Sequence, residues 1–151
     1  MKYWGYITRE ELILKFSDVF PNRACPDIES FFAVGADNIV RKIISKEIPV
    51  GTLDSEVTNL HSYYDEYLCV SQLGMKWLLP ALCKYILMKK RCHEEMASSI
   101  LFYIEDASSE GSYNLNYLDT KQKEALYNLL EYCSETYDLS VIEAQDFIKS
   151  I

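Results

Sequence analysis

Four prolines and five glycines in 151 residues leave little material for tight turns. A sandwich or barrel of many short strands needs more of both. No Asn-Gly or Asp-Gly pair signals a hairpin, and no stretch sustains a period of two. The glycines are isolated, so no glycine-rich loop can cradle a phosphate. Histidine is scarcer still. His61 and His93 stand in no recognisable motif, and adjacent Cys92 and His93 point to different faces of a helix. A nucleophile–base–acid constellation has little to draw on. The five cysteines, Cys25, Cys69, Cys83, Cys92 and Cys133, include no Cys-x-x-Cys pair. They read as reduced, mostly buried thiols rather than a zinc site or a disulfide framework. The longest apolar run, Trp77 to Cys83, is seven residues with Pro80 inside it. A membrane span needs about twenty. The first residues contain no apolar stretch of signal-peptide length. The expectation is a cytoplasmic protein without a membrane partner, cofactor, metal or catalytic apparatus.

Acidity is present, and it is unevenly placed. Residues 1–93 hold 11 acids and 12 bases, whereas residues 94–151 hold 12 acids and 3 bases. The whole of the negative net charge of −8 therefore comes from the last 58 residues. Such a field repels nucleic-acid backbones and attracts basic proteins. Adjacent acids such as Asp65-Glu66, Glu94-Glu95 and Glu105-Asp106 read as solvated helix faces rather than as a paired-carboxylate catalyst.

Apolar spacing predicts helices throughout, in a single domain over residues 1–151 with no linker or repeat. Thr8-Arg9-Glu10-Glu11 is a capping box ahead of Leu12, Phe16, Val19 and Phe20, and Pro21 ends that helix. From Ala36 to Lys46, Ile39, Val40, Ile43 and Ile44 form a stripe. Their β-branching would suit a strand, but the paired spacing favours helix. Asp54 is a candidate N-cap for a helix carrying Val57, Leu60, Tyr64, Tyr67 and Leu68. Ser71 opens the most apolar segment, Gln72 to Lys89, whose hydrophobic residues cover most of its circumference. A helix of that kind sits at the centre of a bundle. Pro80 either kinks it or begins a second helix. Lys89-Lys90-Arg91 suits the negative pole of its dipole.

Met96, Ile100, Phe102, Tyr103 and Ile104 continue the pattern before a loop at Ser108-Ser109-Glu110-Gly111-Ser112. Asp119-Thr120-Lys121-Gln122 and Ser140-Val141-Ile142-Glu143 are further capping boxes. The first opens a helix striped by Ala125 or Leu126, Leu129, Leu130, Cys133 and Tyr137. The second opens one with Ile142, Phe147 and Ile148 inward. The predicted class is all-α: a bundle of six or seven helices around the segment at about 72–89.

Tyrosine is the compositional outlier, at twelve against six phenylalanines and two tryptophans. Tyr63, Tyr64, Tyr67, Tyr127 and Tyr132 lie at helical spacing beside leucines and read as core rim. Tyr113 and Tyr117 flank the Gly111 loop near Glu105, Asp106 and Glu110. They read either as rim or as an interface for a basic partner, because such interfaces favour aromatics with polar tips. The candidate partner-binding set is Glu105, Asp106, Glu110, Tyr113, Tyr117, Glu131, Glu135 and Asp138.

Two segments carry a family resemblance. Ser71-Gln72-Leu73-Gly74-Met75-Lys76-Trp77-Leu78-Leu79-Pro80-Ala81-Leu82 resembles the aromatic-Leu-Pro-Ala core motif of a bacterial family of small helical proteins. Trp77-Leu78-Leu79 stands where that family carries an aromatic doublet. Leu118-Asp119-Thr120-Lys121-Gln122, followed by Leu126 and Leu129-Leu130-Glu131-Tyr132, is similar to the family's second helix. Together they span about residues 70–132, and the motif implies a core helix without an active site. In size, acidity and helical content the chain also resembles bacterial immunity proteins of contact-dependent growth inhibition and polymorphic toxin systems. That resemblance implies a basic toxin partner, a nuclease domain, occluded by acidic side chains. The alternative is an adaptor acting through self-association or docking.

Overall fold

The computed structural model describes residues 7–56, 70–88, 94–108 and 113–151. Four sequence expectations lie outside them: the helix foreseen beyond Glu56 with Tyr63, Tyr64 and Tyr67, the Lys89-Lys90-Arg91 helix end, the loop core with Glu110, and His61, His93, Cys69 and Cys92. Seven α-helices occur among the described residues: α1 (Arg9–Val19), α2 (Ile28–Phe31), α3 (Asn38–Glu47), α4 (Gln72–Met88), α5 (Glu94–Ser108), α6 (Thr120–Tyr137) and α7 (Ile142–Ser150). A 3-10 turn, Asp54–Glu56, lies between α3 and α4. Among the described residues, isolated β-bridges, Ala24 with Leu53 and Phe32 with Val70, accompany them in place of strands. The fold is an all-α bundle.

Local chemistry sets most of the helix starts. The Thr8 hydroxyl accepts from the Glu11 N–H while the Glu11 carboxylate accepts from the Thr8 N–H. Asp119 and Gln122 make the same reciprocal pair at α6. Ser71 accepts from the Gly74 N–H at the start of α4 and donates to the Ser30 carbonyl, tying that start to α2. Each such cap removes orphan helix-end donors and is worth about 1 kcal/mol.

Helix α4 is the axis of the core. From Trp77 to Leu87 every residue except Tyr85 is buried, and α1, α2, α5 and the 3-10 turn pack around it. Pro80 lies within one continuous helix rather than at the head of a second. It has no N–H to offer the Lys76 carbonyl four residues back. Gly74 allows α2 to approach, since a Cβ there would overlap the Phe31 carbonyl oxygen. Phe31 meets Trp77 edge-on with ring centroids 6.1 Å apart. Helix α1 packs on α4 and α6, and α7 packs on α5 and α6.

Four local expectations are corrected. Asp54 does not cap a helix; it sits in the 3-10 turn with its carboxylate 2.9 Å from the Lys84 ammonium. The Ser140–Glu143 box does not form, and Val141 precedes α7 without a side-chain cap. Ile142 points outward at 67% exposure, because Val141, Ala144, Gln145 and Ile148 make the buried face of α7. Ile39 is exposed while Ile44 carries the α3 contact with the core. Helix α2 was not foreseen. Its four residues give too short a period to read, although Asp27 caps it through the Ser30 N–H.

Candidate functional site

The acidic third of the chain folds into α5, α6 and α7, and α7 brings the other two together. Glu143 on α7 lies near Glu105 on α5. The Glu105 carboxyl is pushed above its ordinary value, first by partial burial and then by the Glu143 charge. On the α6 side, the buried amide of Gln145 donates to Glu131 at 2.6 Å. Glu135 follows Glu131 by one helical turn and is exposed. Asp138 closes α6 in the left-handed conformation, with φ of 55°, and is also exposed. Glu143 and Asp146 lie three residues apart on α7, both exposed.

The bases of this region do not neutralise those acids. Lys123 donates to the Ile151 carbonyl at 2.6 Å, and the Lys149 ammonium stands 5.0 Å from the Tyr127 ring centre. Glu124 is paired instead with Lys15 of α1, at 3.7 Å. Among the described residues Glu131, Glu135, Asp138, Glu143 and Asp146 have no lysine or arginine within ion-pair distance. Acids held close together make the local potential more negative, and Glu143 adds in this way to the shift that burial causes at Glu105.

The eight candidate residues therefore divide. Glu105, Glu131, Glu135 and Asp138 belong to the helices that α7 joins, and Asp106 adjoins Glu105, half-buried, near enough to raise the Tyr113 phenol. Tyr113 itself is buried, and its hydroxyl donates to the Tyr103 carbonyl at 2.6 Å. It is a core residue and presents nothing to a surface partner. Tyr117 meets a different neighbour: its ring lies under the Lys76 ammonium, with 5.0 Å to the centroid, beside the start of α6. Glu110 is outside the described residues.

Two apolar side chains that the sequence pattern places inward stand at the surface. Phe102, one turn before Glu105 on α5, is 44% exposed, and Ile142 directly precedes Glu143. A signal existed for the first of these. Ala97, Ile100 and Ile104 make one helical stripe, and Phe102 stands about 200° round from Ile100 at 100° per residue. Phe102 and Ile142 place apolar surface beside acids, the composition of an interface centre with a charged rim.

The described thiols are poor nucleophiles. Cys25, Cys83 and Cys133 are free and buried. Burial pushes Cys25 up to about 11 and Cys133 up to about 12. Cys83 is raised well above its ordinary value by burial and then by Cys133. A protonated, enclosed thiol does not attack. No helix among the described residues is long and apolar enough to cross a membrane. No protein-family model, curated protein or solved structure matches this chain.

Proposed function

We propose that the protein acts by binding, not by catalysis, and that the α5–α6–α7 acidic face receives a basic protein partner. The observation that carries this reading is the uncompensated charge of Glu131, Glu135, Asp138, Glu143 and Asp146, set beside exposed Phe102 and Ile142. The acids supply long-range attraction and orientation, and the apolar pair supplies a contact that excludes water. In its finer form the reading is an immunity function. The partner is a toxin domain, a nuclease, whose cationic active site is covered so that its nucleic-acid substrate cannot enter.

The test takes as partner the C-terminal domain of any exported protein encoded immediately upstream of this chain's gene; the absence of such a protein counts against the immunity reading. The association rate should fall at least about tenfold between 50 and 300 mM salt, as steered encounters do. Reversal of Glu135, Glu143 and Asp146 to lysine together should slow association further, with little change in fold, since all three are exposed. Unchanged affinity in that variant removes the acidic face as the site. A stable homodimer that Phe102→Ser or Ile142→Ser dissolves, insensitive to salt, selects the adaptor reading instead.

A further inference from the structure

The uneven charge of the chain has a basic counterpart on α3. That helix holds Arg41, Lys42 and Lys46 against one acid, Glu47. Arg41 turns back on its own segment. It donates to the Ala36 carbonyl at 3.1 Å, stands 5.5 Å from the Phe32 ring centre and lies 3.9 Å from Glu29. Lys42 and Lys46 point away: both are exposed, and no carboxylate stands within ion-pair distance of either among the described residues. They share a stripe with two isoleucines, since Ile39, Lys42, Ile43 and Lys46 fall within about 100° of the helix circumference at 100° per residue. Ile39 is 69% exposed and Ile43 is half-buried. On the opposite side, buried Ile44 and the C-cap residue Ile48 join α3 to the core. The outward stripe thus combines free cations with uncovered apolar surface.

We infer that this α3 face docks on the α5–α6–α7 acidic face of a second copy of the chain, head to tail. The two surfaces complement each other in charge and in apolar content. Lys42 and Lys46 lack counter-charges, as do Glu135, Glu143 and Asp146, and exposed Ile39 has its match in exposed Phe102 and Ile142. Within one copy the faces do not satisfy each other, since no ion pair joins α3 to α5, α6 or α7 among the described residues. Each copy carries −8 overall, but with a Debye length of about 8 Å at physiological salt the facing charges outweigh the distant ones. Because the two faces differ, every docked pair leaves one of each uncovered. Such a contact continues as an open chain or closes as a ring, and it does not stop at a symmetric dimer. It rests on the acidic face being a docking surface, as proposed above, and it regulates that face: further copies and the basic partner compete for the same acids, so partner binding takes the assembly apart.

The experiment is sedimentation velocity of the full chain without any partner, from about 10 μM to about 1 mM protein, a range that covers weak affinities. The sedimentation coefficient should rise with concentration beyond that of a dimer, and association should weaken at least about threefold between 100 and 500 mM salt. Two variants each remove one face. The first carries Ile39→Ser, Lys42→Ser and Lys46→Ser, and the second carries Ile142→Ser, Glu143→Ser and Asp146→Ser; all six side chains are exposed. Each variant alone should stay monomeric. Their equimolar mixture should form a dimer that grows no further, because each supplies the face the other lacks. A mixture that stays monomeric, or self-association that survives the α3 substitutions, overturns the head-to-tail contact. On the unaltered chain, a monomer at about 1 mM or a dimer that stops growing overturns it without recourse to a variant. None of these outcomes touches the acidic face as a site for a different protein, which the partner's association rate tests separately.

Discussion

The carboxylate of Asp54 and the ammonium of Lys84 meet at 2.9 Å, and both side chains are almost wholly enclosed. Thirty positions separate them in the chain. Asn22 adds its amide oxygen to the Lys84 ammonium at 3.2 Å, so the pair joins the end of α1, the 3-10 turn and α4. A buried charge that loses its partner retains its desolvation penalty without the attraction that offset it. Asp54→Ala or Lys84→Met alone should therefore lower unfolding stability by about 3–5 kcal/mol. The double variant should lose clearly less than the two single losses added together. Urea unfolding of the four proteins measures the coupling, and simple additivity would show that the two charges do not support each other.

Gly74 lies where α4 meets the backbone of α2. Gly74→Ala improves helix propensity by about 1 kcal/mol but drives a methyl group into the Phe31 carbonyl. Overpacking of that kind costs about 1–3 kcal/mol and should win. The expected result is a lower melting temperature, with the Phe31–Trp77 contact disturbed in the near-ultraviolet circular dichroism.

The Glu105 carboxyl binds its proton more tightly in the folded chain than in the unfolded one. In the pH window just above its ordinary value of 4.5, the folded state therefore holds more protons than the unfolded state. Stability contributed by this group is present below that window and is lost as pH rises through it. Glu105→Gln should flatten this part of the stability–pH curve. At neutral pH it should raise stability by at most about 0.5 kcal/mol, because the group is only partly buried and solvent screens it. Glu143→Gln should reproduce part of the effect at a distance. A steeper slope in either variant would contradict the assignment.

The Tyr117 hydroxyl is buried and makes no hydrogen bond within the described residues. Burial, with a smaller contribution from Cys83, holds the phenol above its ordinary range and therefore neutral. An unpaired buried hydroxyl is a net penalty, so Tyr117→Phe should raise stability by up to about 1 kcal/mol. Tyr113→Phe makes the contrast, since it strips the Tyr103 carbonyl of a donor and should cost about 1–2 kcal/mol. Thermal unfolding of the two variants should move in opposite directions.

Much of the secondary structure was legible in the chain because its causes are local. The boxes at Thr8 and Asp119 lie within three residues, and the stripe Ala125, Leu126, Leu129, Leu130 and Cys133 repeats within one helix. The failures share one physical origin. Ser140 and Glu143 spell a cap, yet the packing of α7 starts the helix at Ile142 behind Val141. Periodicity announces that a helix has an apolar face without saying how much of it a neighbour covers. Phe102, Ile39 and Ile142 were thus read as core and stand at the surface.

The sequence by itself determined the helical class, the apolar centre at α4 and the excess of acids after residue 93, since each depends on residue types and short spacing. Tertiary packing decided which acids face one another, as with Glu105 and Glu143 on different helices. It separated Tyr113 from Tyr117, placing one in the core and the other on the lining of a cleft. It also brought Arg23 and Lys76, 53 positions apart in the chain, to the lining of that cleft, where no local spacing could have placed them together. Such pairings follow from which surfaces exclude water together, and only the assembled bundle settles that.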